Sequence, residues 1–241
     1  MSDERTADEL KHAEEVREMF SRISPKYDFL NHFLSGNIDK RWRKLVTKKL
    51  ESVLNDKNAL VLDVACGTGD LALEMQKAAK AKIIGTDFCR PMLEIAKEKN
   101  VAENLKIPYL EADGMNLSFA DETFDAVTIA FGLRNFSNWE DGLQELQRIL
   151  KPSGKLVILE FSTPIIPGFK ELFHFYFTRI LPKIGGIVSG SRGAYQYLSE
   201  SVARFPDQKG LLKMMLENGF ADVEYKNLTG GIAAIHLGVK Q

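Results

Sequence analysis

Asp63, Gly67, Thr68, Gly69 and Asp87 are the residues of this chain whose types and spacing best suit ligand chemistry. The run Leu60-Val61-Leu62-Asp63-Val64-Ala65-Cys66-Gly67-Thr68-Gly69-Asp70-Leu71 reads as a buried strand, a glycine turn and a helix start. Glycine serves where backbone turns sharply and comes close to a ligand, because a Cβ would block both. Asp87 ends the next apolar run about twenty residues on, where a carboxylate holds ribose hydroxyls in nucleotide sites. Gly67, Gly69 and Ala72 also fit the G-x-G-x-x-G/A pattern of a dinucleotide site. Charge argues for a different ligand. A pyrophosphate seeks backbone N–H groups and a helix N-terminus without acids nearby. Asp63, Asp70, Asp87 and Asp113 all fall at strand ends or in loops of one crevice. Four acids suit a ligand with a sulfonium and an ammonium group, such as S-adenosylmethionine. A dinucleotide site, or a structural joint that binds nothing, stays open as an alternative.

These residues need a scaffold, and the apolar pattern supplies one. Strand-like runs at 59–65, 82–86, 107–111, 124–130 and 155–161 alternate with helical patterns at 70–80, 91–100 and 139–150. Near-continuous apolar strands alternating with helices predict a parallel sheet covered on both faces. Lys151-Pro152-Ser153-Gly154 stops a helix and turns into a strand. Further on, a helix at 207–218 precedes strands at 223–228 and 233–239, joined at Thr229-Gly230-Gly231, which predicts an antiparallel edge hairpin. Upstream, Val16, Met19, Phe20 and Ile23 recur at helical steps, and Trp42, Leu45, Val46 and Leu50 mark a second helix over 40–54. The expected division is a helical lid over 1–56 and an α/β domain over 57–241, with an aromatic-rich insertion at 162–206.

Bulk properties narrow the function classes. A chain of 241 residues accommodates one elaborated α/β domain. A formal net charge of -1 argues against a nucleic-acid partner. Cys66 and Cys89 form no disulfide framework, which implies a reduced, cytoplasmic setting. His12, His32, His174 and His236 lack metal-ligand spacing, so no metal is expected. Residues 1–18 lack the apolar core of a signal peptide. The most apolar long stretch, 169–188, is broken by Lys170, Glu171, His174, Arg179 and Lys183 and does not span a membrane. The basic run Lys40-Arg41-Arg43-Lys44-Lys48-Lys49 reads as a solvated helix face, with attraction to anionic lipid headgroups as the sharper reading.

Three further motifs resemble one family. Tyr27-Asp28-Phe29-Leu30-Asn31 with Ser35-Gly36 and Trp42 is similar to the N-terminal signature of the ubiquinone/menaquinone biosynthesis C-methyltransferases. Phe131-Gly132-Leu133-Arg134-Asn135 resembles that family's hallmark loop. Arg148-Ile149-Leu150-Lys151-Pro152-Ser153-Gly154 with Glu160-Phe161-Ser162 resembles its second signature. The resemblance implies a class I S-adenosylmethionine-dependent methyltransferase fold, a mostly parallel seven-stranded sheet with an antiparallel edge hairpin and an N-terminal helical lid. The implied cofactor positions are Asp63, Gly67, Thr68, Gly69, Asp87, Asp113, Gly114 and Ala130, the last where the family often has serine. The alternatives are a structural bond to the glycine loop for Asp63, a cap on the helix at Pro91 for Asp87 and a simple turn for Asp113. Asp39 likewise stands where a histidine is common.

The implied reaction is methyl transfer to a ring carbon of a polyprenyl quinol. Such a carbon becomes nucleophilic when a neighbouring hydroxyl is deprotonated. Arg134 would stabilise that phenolate or polarise a water, and Asn135 would orient the oxygen, unless Arg134 only closes a structural ion pair. Tyr27, Asp28 and Asn31 are read as lid and substrate residues, with helix capping as the competitor for Asp28 and Asn31. Arg192, Tyr195, Tyr197 and Arg204 are expected at the quinol head, with ordinary packing of the aromatics as the alternative. The aromatic run from Phe169 to Leu181 would wall a polyprenyl tail or dip into a membrane surface, with ordinary core packing or a homodimer face as the alternatives. Ser199-Glu200-Ser201, Arg204-Phe205-Pro206 and the short polar leader resemble menaquinone-type members, which implies demethylmenaquinol as acceptor. A methoxy-benzoquinol acceptor and a non-catalytic assembly protein are the alternatives.

Overall fold

The computed structural model describes residues 6–180 and 192–241; within these, the side chains of residues 30, 33, 34, 172, 174, 177, 180, 192 and 195 lie outside the description. Seven strands form one sheet in the order β3-β2-β1-β4-β5-β7-β6. They are β1 Leu60–Val64, β2 Lys82–Asp87, β3 Tyr109–Glu111, β4 Phe124–Ala130, β5 Leu150–Phe161, β6 Phe220–Leu228 and β7 Ala233–Lys240. Strands β1 to β5 pair in parallel, whereas β7 runs antiparallel to both β5 and β6. This is the class I methyltransferase architecture that the resemblance implied.

The order reverses between β1 and β4, and open α/β sheets bind ligands at such a switch point, beyond the carboxyl ends of the strands. The backbone there is strained in a telling way. Ala65 and Phe131, each the residue after its strand, hold φ of +50° and +57°. Non-glycine residues in this region carry a conformational cost that functional sites commonly bear.

Alternation along each strand splits the core into two layers. Val61, Ala126, Val157 and Leu159 face one layer with Leu71, Leu73 and Met75 of helix α5 (Asp70–Ala78). Leu62, Val64, Val127 and Ile129 face the other with Leu143 and Leu146 of helix α7 (Trp139–Ile149). Helices α1 (Ala7–Ile23), α2 (Tyr27–Ser35), α3 (Ile38–Lys49) and α4 (Glu51–Leu54) make up the N-terminal segment. Trp42, Val46, Leu50 and Leu54 belong to the same buried layer as β1. Packing is thus continuous across 56/57, and α1, α2 and α3 all carry residues of the cavity described below.

Helix α6 is Arg90–Ala102. Two element ends differ from the periodicity for local reasons. The third strand starts at Tyr109 rather than 107, because Asn100 takes both backbone groups of Ile107 and Pro108 has no N–H to give. The fifth strand pairs from Leu150 through an irregularity opposite Phe124 to Ala126, with Ser153 at φ +64°. In the insertion, helix α8 (Phe169–Phe175) leads into a π-helical turn at Tyr176–Ile180, and helix α9 (Arg192–Arg204) follows. Helix α10 is Gln208–Glu217. No described helix is long and apolar enough to cross a membrane.

Candidate active site

A cavity of about 580 Å³ opens at the carboxyl ends of β1, β2 and β4. Its polar half is made by the glycine turn. Asp87 accepts from the amides of Gly67 at 2.7 Å and Cys89 at 2.8 Å, so one carboxylate ties the turn to the start of α6. Burial raises its pKa to about 6 against the pull of these donors. Asp63 stands beside Thr128 in the β1–β4 register and accepts from its hydroxyl at 2.7 Å. Its second oxygen lies buried with no hydrogen bond of ordinary geometry, only the Ala72 amide nearby. Burial brings this acid to about 7.

Space at the turn is equally specific. Gly69 holds φ +81°, and a Cβ there would sit 2.5 Å from the Tyr109 hydroxyl; a Cβ at Gly114 would sit 2.4 Å from the Phe136 ring. Asp113 accepts from the Met115 amide at 2.9 Å and shapes its own loop, while Asp113, Gly114 and Ala130 all line the cavity. An orphaned carboxylate oxygen and a second buried acid fit a cationic nucleoside ligand, while Gly69 and Gly114 make room for the Tyr109 and Phe136 rings packed on them.

The lid closes over this turn through ions that local reading did not expect. Asp28 accepts from the Thr68 hydroxyl, and Lys99 of α6 donates to Asp28 at 2.9 Å and also reaches Asp70. Arg43 pairs with Asp39 and lies 3.3 Å from Asp70, while His32 Nδ1 lies 2.8 Å from Asp39. Burial notwithstanding, Arg43 and Lys99 hold the Asp70 carboxyl below its usual range; the Ser35 hydroxyl and Arg43 do the same for Asp39. Arg43 is buried and is not part of a solvated basic face; Lys40, Arg41, Lys44 and Lys48 are exposed. Asp28 spans to the glycine turn, the contact of a lid residue and not of a helix cap. Asp70 is engaged by two cations, so the acids bare of a cation are fewer than four. His32, Asp39 and Asp70 do converge, but with Arg43 and Lys99 already among them.

This latch predicts a measurable coupling. Asp28→Ala removes an acceptor from both Thr68 and Lys99 and is expected to weaken cofactor binding by about 1–2 kcal/mol. Calorimetry showing wild-type affinity would uncouple the lid from the turn.

Also on the cavity wall, the short helical turn Leu133–Asn135 carries Arg134. Its guanidinium pairs with Glu160 at 2.8 Å, donates to the Phe131 carbonyl and lies 5.4 Å from the Phe161 ring centre. Arg134 and Glu160 are 7% and 1% exposed, so this pair is desolvated. Burial raises the Glu160 pKa, and Arg134 opposes that rise. Asn135 donates to the Phe131 carbonyl at 3.3 Å, and its Oδ1 is buried without a partner among the described residues. Phe131 packs between Trp42 and Phe161, with ring centres 6.0 and 4.8 Å away. Tyr27 sits over Gly67, beside Asn31, and burial raises its pKa while Arg134 lowers it.

The remaining wall is apolar: Met19, Phe20 and Ile23 of α1 meet Phe173, Tyr176 and Leu198. Of the expected aromatic wall, Phe169, Phe173 and Tyr176 line the cavity, and Phe175 is exposed. The side chains of Arg192 and Tyr195, and residue Leu181, lie outside the described residues. Arg43, Lys99 and Glu160 are the site's unforeseen residues. The i, i+4 spacing of Asp39 and Arg43 was a signal for the first; nothing local marks Lys99.

Comparison with known proteins narrows this arrangement to one family. Residues 7–240 match the model of the ubiE/COQ5 methyltransferase family. The chain belongs to this family. A demethylmenaquinone methyltransferase of Thermus thermophilus is 48% identical over 91% of this chain and 99% of its own length. A ubiquinone/menaquinone biosynthesis C-methyltransferase UbiE of Citrifermentans bemidjiense is also 48% identical, over 94% and 97%. The methyltransferase is thus S-adenosylmethionine-dependent. Among solved structures, a SAM-dependent methyltransferase of Thermotoga maritima, described as a possible histamine N-methyltransferase, is similar in fold. Its TM-score is 0.64 at 18% identity, covering 93% of this chain and 99% of that one. The [4+2]-cyclase SpnF scores 0.69, also at 18% identity, covering 93% and 94%. The same fold therefore carries unlike chemistries, and function has to be argued from the site.

Proposed function

We propose that this methyltransferase acts on a ring carbon of a reduced polyprenyl quinone precursor, demethylmenaquinol in preference to the methoxy-benzoquinol of ubiquinone biosynthesis. One observation carries the reading: a single cavity joins an acid-lined turn to an apolar wall, with Arg134 and Asn135 between them. The relatives named for demethylmenaquinone support the choice of quinone.

Bound cofactor supplies an electrophilic methyl group. Asp87 and Thr68 would hold its ribose side, Asp63 its amino-acid end, and the Asp113–Gly114 and Ala130 backbone its adenine side. Arg134 lowers the cost of phenolate charge on the acceptor, and Asn135 orients the oxygen that carries it. Tyr27 and Asn31, with Asp28 latched behind them, exclude water. Phe169, Phe173 and Tyr176 would face the prenyl tail. Exposed Ile165, Ile166 and Phe175, with exposed Lys40, Arg41, Lys44 and Lys48, would favour a peripheral contact with anionic lipid.

A fused ring adds apolar contact at about 25 cal/mol per Å² buried, which gives preference but not strict selection. Competing the two reduced acceptors in one assay is expected to yield mainly methylated naphthoquinol. Preferential methylation of the benzoquinol overturns the quinone type and leaves the methyltransferase intact.

A further inference from the structure

We infer that Tyr197 is a third contact for the acceptor's oxygen, completing with Arg134 and Asn135 a pocket for one phenolic hydroxyl. The inference rests on the quinol reading and adds a residue to it. Three polar atoms, Arg134 Nε, Asn135 Oδ1 and Tyr197 Oη, are buried without a hydrogen-bond partner among the described residues. Their residues all line the same cavity, and α9, which carries Tyr197, packs on the Leu133–Asn135 turn. Of the other orphaned side-chain atoms among the described residues, that of Asp63 belongs to the acid beside the glycine turn, and those of Thr86, Tyr109, Ser162, Asn227 and His236 belong to residues that do not line the cavity.

Burying one such atom costs free energy, and three at one site point to a group that satisfies them. Their hydrogen-bonding capacities are complementary to a hydroxyl. Arg134 Nε–H and the Tyr197 O–H donate, and Asn135 Oδ1 accepts. A phenol oxygen takes the two donors and gives its proton to Asn135; a phenolate keeps the two donors. Arg134, Arg204 and Glu160 act on Tyr197, and the His12 ring lies 6.3 Å away. Burial raises the Tyr197 pKa, so it remains a protonated donor at neutral pH.

Tyr197→Phe keeps the ring and removes only the hydroxyl. It is expected to lower kcat/KM for demethylmenaquinol about tenfold and to move the acidic limb of the pH profile upward by about one unit, at unchanged cofactor affinity. Binding is read separately, by calorimetry with 1-naphthol and 1-methylnaphthalene, which has no oxygen to accept from Tyr197, in the presence of S-adenosylhomocysteine. The variant is expected to bind 1-naphthol about tenfold more weakly and 1-methylnaphthalene as the wild type does. Wild-type kinetics, or equal losses for both probes, overturn the inference. Wild-type enzyme that leaves demethylmenaquinol unmethylated while the naphthol difference persists overturns the quinone reading instead.

Discussion

Arg134→Ala is expected to lower turnover by about a hundred- to a thousandfold while cofactor affinity stays within a few-fold of wild type. In the proposed arrangement Arg134, which lines the cavity, faces the acceptor, so its loss is felt where phenolate charge develops. The structure adds a complication. Glu160, 1% exposed, would be left without its cation, and breaking such a pair from one side costs about 3–5 kcal/mol of stability. A poorly folded variant could then mimic a catalytic defect. Arg134→Ala with Glu160→Gln removes both charges and should recover most of the stability but none of the turnover. If turnover returns with the fold, Arg134 serves only the ion pair.

Removing the Asp87 carboxyl is expected to weaken S-adenosylmethionine binding by about 1.5–3 kcal/mol, through direct contacts and through a glycine turn that loses its acceptor at Gly67. Unchanged affinity of Asp87→Ala in calorimetry takes this residue out of the site. The same acids make binding pH-dependent. Asp87 at about 6 and Asp63 at about 7 both titrate above the ordinary 3.8 because burial opposes their charge. The ligand-free fold thus retains protons that the unfolded chain has lost. Stability from this source is full below about pH 4 and declines as pH rises through 6 to 7. A cationic ligand favours the ionised carboxyls, so affinity should climb from about pH 5.5 to 7.5, with proton release on binding. Titrations in buffers of different ionisation enthalpy measure that release, and pH-independent affinity would separate these acids from the ligand's charge.

Much of the fold was legible because its signals are local. Apolar runs alternating with helical patterns marked every strand, and Thr229-Gly230-Gly231 marked the hairpin. The errors have local causes too, as where Asn100 takes the backbone of Ile107 and delays β3. The basic run misled for a different reason. A charged residue on an amphipathic helix reads as solvated unless its partner is known, and Arg43's second partner, Asp70, follows the glycine turn on another helix.

By itself the sequence determined which backbone would bend at Gly67 and Gly69, which carboxylates would end β1 and β2, and which family motifs the chain carries. Their types and near-neighbour spacing suffice, because turns and strand ends depend on residues close along the chain. Only the tertiary structure decided how these groups are charged and paired. Lys99 reaches Asp28 across 71 positions, Asp63 meets Thr128 across 65, and Arg134 meets Glu160 across 26. Sheet order and lid packing set those distances, and burial then sets the protonation of Asp63, Asp87 and Glu160. Electrostatic energy depends on separation and desolvation in space, and neither is written in the order of residues along the chain.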